Sequence, residues 1–132
     1  MASIAHSLVA ALLGAHGWVH FVYVASNQGW FGPGDGWVWN GRSWLLSRFL
    51  PERVIISLAS VFFGLAGFGF IAGAVGLFFA FQWWRPVTVV AALLSTLLYI
   101  MLWDGRFADM PAKGALGVLI NLVVIGWVVR PI

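Results

Sequence analysis

Apolar residues gather in four runs, at about residues 4–25, 54–81, 87–103 and 115–129, with polar, glycine-bearing stretches between them. Each run is near the ~20 residues that a helix needs to cross a bilayer. The pattern predicts an all-α fold: a polytopic membrane protein in which one domain, residues 1–132, forms an antiparallel bundle of four transmembrane helices. The first connection, SNQGWFGPGDGWVWNGRSWLLSRFLPER, is long, and its glycines and Pro33 break any helix. Within it, residues 43–49 (SWLLSRF) read as a short interfacial helix, with Arg42 and Arg48 toward lipid phosphates. Trp30, Trp37, Trp39 and Trp44 make this loop tryptophan-rich and place it at headgroup level. Pro51 stands where a second helix opens, a favoured first-turn position. The second connection, QWWRP, is tight enough to force its two helices antiparallel. The third, DGRFADMPAKG, is short and polar.

Within the helices two further patterns stand out. On the second, Ala59, Ala66, Gly69, Gly73, Gly76 and Ala80 recur at helical spacing and share one narrow face, and residues 69–73 (GFIAG) match GxxxG. Such faces let helix backbones touch in lipid, either within one chain or across a dimer seam. On the first, His6, His16, His20, Tyr23 and Asn27 share a face about 100° wide at about 100° per residue, opposite a face of Leu, Val, Ala and Phe. Ionisable groups inside a membrane are costly, so this stripe should face the bundle interior or a water-filled cavity.

Composition supports the membrane reading. The chain is 62% hydrophobic and 8% charged, with a mean hydropathy of +0.97, whereas soluble domains carry roughly 25% charged residues. Nine tryptophans and eleven phenylalanines suit the aromatic belts of a bilayer. There is no cysteine, which excludes disulfides and thiolate metal sites. No basic run suggests nucleic acid, and the pI near 10.2 reflects a few cations near helix ends. The N-terminus lacks the Lys/Arg region of a signal peptide, so the first run reads as a retained helix. Arg42, Arg48, Arg53, Arg106 and Lys113 lie on the side of connections one and three, and Arg85 and Arg130 on the side of the termini. The positive-inside rule then predicts connections one and three in the cytoplasm.

Antiparallel order brings polar residues of three helices to similar depth. Counting inward, His20 comes level with Tyr99 and His16 with Ser95, while Asn121 arrives from the other direction. Thr88 extends the face of Ser95 and Tyr99. The expected intramembrane ligand site is therefore His16, His20, Ser95, Tyr99 and Asn121, with Asp104 and Asp109 at its nearer mouth. His16 and His20, at i and i+4, can reach one metal ion, with His6 or Asp104 as further candidates and a second shell to fix the tautomers. Haem b is a second possibility, but His6 and His20 lie about 21 Å apart along the helix, so they suit two stacked haems and not one iron. Bis-histidine ligation would also require a dimer. A quinone is a third: its carbonyls would accept hydrogen bonds from His, Ser or Tyr. A His6–His16–His20–Asp104 proton relay is a fourth, although no inverted repeat is visible. Buried imidazoles that simply hydrogen-bond neighbouring helices are the plain alternative. No nucleophile–base pair or phosphate loop is present, and Asp104 and Asp109 read as solvated loop charges.

HGWVH in the first helix, WW–R–P before the third, LLYIMLWDGRF at its end and a central Asn in the fourth resemble a group of small four-helix bacterial membrane proteins of unknown function. The group carries HGxxH on its first helix and an aromatic–Asp turn after its third. The resemblance maps His16, Gly17, His20, Trp103, Asp104 and Asn121 onto the group's recurring positions. It implies a fold, without an activity. The expected residence is a bacterial cytoplasmic membrane. The loop from Gly29 to Trp44 departs from the group's pattern. The layout is also similar to DoxX-type proteins, some of which belong to quinone-linked redox assemblies. The leading functional expectation is a non-catalytic membrane subunit or scaffold that packs against lipid and a larger membrane complex, or against copies of itself. The alternatives are a redox protein binding haem, metal or quinone, and a small transporter or proton pathway working as a homo-oligomer.

Overall fold

A computed structural model of the chain describes residues 4–30, 39, 41–107 and 114–130. Four α-helices account for most of them: α1 (Ile4–Asn27), α2 (Glu52–Phe78), α3 (Trp84–Leu102) and α4 (Ala115–Val128). No strand occurs among the described residues. The first three helices are long and apolar enough to span a membrane, at about 36, 40 and 29 Å of helix axis. The protein is an all-helical membrane bundle. Its outer faces carry exposed Phe68, Leu93, Leu97, Leu122 and Val123, a surface suited to lipid and not to water.

The fourth helix is shorter than a full crossing. Its 14 residues span about 21 Å, against a hydrocarbon core of about 30 Å. It starts behind Gly114, held at φ 99°, and ends at Val128, three residues before Pro131.

Element boundaries follow local chemistry. Pro51, at φ −62° and ψ 148°, precedes the first turn of α2, where a missing N–H costs nothing. At its far end α2 stops at Phe78, earlier than the apolar run predicts. Ala80 turns left-handed at φ 57°, and the Phe81 N–H reaches back to the Gly76 carbonyl at 2.8 Å. α3 then starts at Trp84, with Pro86 in its first turn. The expected interfacial helix at residues 43–49 is present only as a single 3₁₀ turn, Leu46–Arg48.

The helices pack in chain order, α1 on α2, α2 on α3 and α3 on α4, and each neighbouring pair is antiparallel. Gly17 of α1 and Gly67 of α2 make the first crossing. A Cβ on either would lie 2.9 Å from the other's carbonyl oxygen. Gly69, Gly73 and Gly76 of α2 receive Ala91, Thr88 and Trp84 of α3. The small-residue face of α2, with Ala66 fully buried, is thus occupied within the chain, which leaves α3 in the place of a dimer partner. Ala80 does not join it and is exposed in the turn. Tyr99 of α3 fills the space above Gly114 and Gly117 of α4.

Part of the tryptophan-rich connection closes the end of α3. A helix leaves its last four carbonyls without intrahelical donors, and in lipid each would be costly. The Trp44 indole donates to the Ile100 carbonyl at 2.8 Å and the Trp39 indole to that of Leu102 at 3.1 Å. The Ser43 hydroxyl donates to Met101, and the Trp44 N–H to Trp103 at 2.7 Å. These residues therefore cap a neighbouring helix. Trp30 is exposed, and Trp37 lies outside the described residues.

Two apolar clusters result. One gathers Ala10, Leu13, Phe70, Ala74, Leu77, Ala91 and Ala92. The other gathers Tyr23, Ile55, Ala59, Phe63, Leu98, Tyr99 and Leu102. Between them, at the middle of α1, lies a polar layer.

Candidate functional site: a polar layer at mid-bundle

His16 is the thirteenth of the 24 residues of α1, so it lies about 18 Å from either end. It and His20 point the same way because they are one helical turn apart. The two rings meet edge to face at 5.1 Å between centroids, and Phe70 of α2 packs against both, at 4.6 and 5.3 Å. His20, Ser95 and Asn121 are completely buried, and His16 is half-buried.

Four hydrogen bonds join these residues into a closed circuit. His16 Nε2 lies 2.9 Å from Asn121 Oδ1, and Asn121 Nδ2 lies 2.9 Å from Ser95 Oγ. Ser95 Oγ lies 2.8 Å from His20 Nε2, and His20 Nδ1 lies 2.9 Å from the His16 carbonyl. The second Asn121 N–H reaches Thr96 Oγ1 at 3.1 Å, whose own hydroxyl donates to the Ala92 carbonyl at 2.8 Å.

One assignment of hydrogens satisfies the whole circuit. A carbonyl can only accept, so His20 Nδ1 carries its proton and Nε2 is an acceptor. The Ser95 hydroxyl must then donate to His20, leaving its oxygen to accept from Asn121. Thr96 likewise has spent its proton on Ala92. Both oxygens therefore require the Asn121 amide nitrogen, which turns Oδ1 toward His16 and puts the His16 proton on Nε2. The reverse amide orientation sets oxygen against oxygen at Thr96 or leaves His20 without a donor. Both imidazoles are neutral in this scheme, with opposite tautomers, and His16 Nδ1 keeps an unused lone pair.

The register differs by one turn from the one counted along the sequence: His20, not His16, meets Ser95, and His16 passes on to Asn121. Of the five expected site residues, four make the circuit. Tyr99 sits one turn away, its ring 6.3 Å from that of His20, and its hydroxyl pairs with Tyr23. Thr96 and Phe70 belong to the layer. Thr96 could have been found as the neighbour of Ser95 on α3, while nothing in the sequence sets Phe70 apart. Thr88 is also fully buried but faces Gly73, with its hydroxyl unpartnered.

The remaining candidates lie elsewhere. His6 is exposed near the start of α1, about 15 Å along the axis from His16. Asp104 lies beyond α3 and accepts the Arg106 N–H at 3.0 Å. Asn27, at the end of the α1 stripe, donates to Ser60 of α2 at 3.3 Å. Asp109 and Lys113 fall outside the described residues. The described residues contain no group of three His, Cys, Asp or Glu side chains placed to hold a metal ion, and both nitrogens of His20 and Nε2 of His16 are engaged in the circuit.

The layer opens between α1 and α4. α1 and α4 stand apart, bridged by the His16–Asn121 bond, and the groove between them has a volume of about 620 Å³ with His16 in its wall. The rest of the wall is apolar, ending in Trp127.

The chain matches no family model, no curated protein and no solved structure.

Proposed function

We propose that this is a small, non-catalytic membrane protein, a subunit or scaffold that packs against a larger membrane complex. One observation carries the reading. His20, Ser95 and Asn121 spend their hydrogen bonds within the chain, three of the circuit's links joining α1, α3 and α4 and the fourth bracing His20 on its own helix, so the layer fixes the arrangement of helices, and what it leaves over is the Nδ1 lone pair of His16. The test is gentle extraction from the native membrane followed by native electrophoresis. Migration with larger partners supports the reading; recovery only as a free, stable monomer removes it.

The residence proposed is a bacterial cytoplasmic membrane, with connections one and three on the cytoplasmic side, supported by five Lys/Arg there against two on the opposite side. Because the chain has no cysteine, single-cysteine labelling of intact cells tests this directly. Gln82→Cys should label with a membrane-impermeant maleimide and Ser47→Cys should not. The opposite pattern reverses the topology.

A second reading has its own support. The free lone pair of His16 beside an apolar groove of about 620 Å³ suits a small lipid-soluble ligand; such sites commonly run from about 300 to 1,000 Å³. It predicts saturable binding that Val123→Trp, which fills the groove from α4, abolishes.

A further inference from the structure

We infer that the α1–α4 groove takes an uncharged amphiphile with a phenol-type hydroxyl, which donates its hydrogen to Nδ1 of His16. This rests on the second reading above and adds the polarity and shape of the ligand. The polarity comes from the circuit. Ser95 and Thr96 fix the Asn121 amide, the amide oxygen takes the Nε2 proton of His16, and Nδ1 is left as an acceptor. Nδ1 has no partner among the described residues and is not among their buried unpartnered atoms, which number one, Thr88 Oγ1. It therefore keeps some accessible surface, and the open space that His16 lines is this groove.

Depth narrows the occupant. His16 is at the middle of a 24-residue span, about 18 Å from each end, out of reach of phospholipid headgroups. Acyl chains that reach this depth bring no donor, and an acceptor facing hydrocarbon alone goes unsatisfied. A ligand that completes it must carry an uncharged donor into the core, because charge is costly there, and a phenol-type hydroxyl is among the strongest uncharged donors to an imidazole nitrogen. A ring that has only carbonyl oxygens, as a quinone does, sets acceptor against acceptor at Nδ1. The geometry thus reverses the polarity expected from the sequence, where histidine was the donor to a quinone carbonyl.

Shape points to an aromatic head. Trp127 lies six residues beyond Asn121 on α4, about 9 Å along the axis, and both Trp127 and His16 line the groove. A flat bicyclic ring fits that interval, with its hydroxyl at Nδ1 and its far edge at the indole. Leu12, Val19, Ile120 and Val123 supply apolar walls for the ring and for any attached chain.

The experiment uses the full-length protein in nanodiscs with ¹⁵N-labelled histidine; His6→Gln removes the His6 signals, and His16 is told from His20 by its opposite tautomer. Three ligands of similar size are compared: 2-naphthol, its methyl ether and 1,4-naphthoquinone. The expected result is a saturable shift of the unprotonated His16 nitrogen with 2-naphthol, and affinities lower by about five- to tenfold for the other two, the worth of one hydrogen bond. Val123→Trp should remove the shift while leaving the Nε2–H signal in place. Equal binding of all three overturns the polarity and leaves the groove as a ligand site. No saturable effect from any of them overturns both.

Discussion

His20 and Ser95 meet 2.8 Å apart, imidazole Nε2 against hydroxyl, and neither has any exposed surface. They lie on helices that do not follow one another in the chain, so the bond fixes the register of α1 against α3. Ser95→Ala leaves His20 Nε2 without a donor and one Asn121 N–H without an acceptor. Interhelical hydrogen bonds in membranes average about 0.6 kcal/mol and reach about 1.7, and two are lost here. The expected destabilisation is about 1–2 kcal/mol in detergent unfolding. A double-mutant cycle with His20→Phe checks the assignment: the two changes should be markedly less than additive. Full additivity would mean that the pair does not interact.

The α1–α2 crossing predicts a sharper effect from a smaller change. Gly17 and Gly67 approach so closely that a Cβ on either would sit 2.9 Å from the other's carbonyl oxygen. A helix backbone cannot turn aside as a side chain can, so Gly17→Ala must separate the helices by a few tenths of an ångström along their whole contact. That loosens Phe70 against both imidazoles. A loss of about 1–3 kcal/mol is expected, against nearly none for Gly64→Ala, which meets open space. Equal effects at the two glycines would contradict the crossing.

Ala80 offers the opposite sign. Its left-handed φ of 57° costs a residue with a Cβ about 1–2 kcal/mol, whereas glycine adopts it freely. Ala80 is exposed and fills no space. Ala80→Gly should therefore stabilise the protein by about 0.5–1 kcal/mol after the added freedom of the unfolded chain is counted. A loss of stability would show that Ala80 packs against something.

The sequence exposed the helices because each needs a run of apolar residues, and it exposed the layer because polar residues in such runs have few places to go. His16, His20, Ser95 and Asn121 could be picked out for that reason. Their pairing could not, since a shift of one turn keeps every side chain on its face. Nor could Ala80 be separated from the glycine face of α2. Its spacing matches that face, and only the turn after Phe78 removes it. The capping of α3 by Ser43, Trp39 and Trp44 is a long-range arrangement with no local signature, so those tryptophans read as belt residues. Gly17 stood out only as part of HGWVH, and its partner Gly67 did not stand out at all.

Asn121 carries the last prediction, because its three hydrogen bonds are the polar tie between α4 and the rest of the bundle. α4 is 14 residues long, and only Asn121 and Val128 along it are buried. It packs on α3, and its link across the groove to α1 is the His16–Asn121 bond. Asn121→Leu keeps the size of the side chain and removes three hydrogen bonds at once, those to His16, Ser95 and Thr96. α1, α2 and α3 retain their glycine contacts and the His20–Ser95 bond, so the first three helices should stay assembled while α4 loses its anchor. Amide exchange measured by mass spectrometry should rise across residues 115–128 and change little across α2. If α4 exchanges as slowly as before, its packing on Tyr99 holds it without the polar layer. If α2 is loosened to the same degree, the layer supports the whole bundle as one cooperative unit, and Asn121 acts on far more than the helix that carries it.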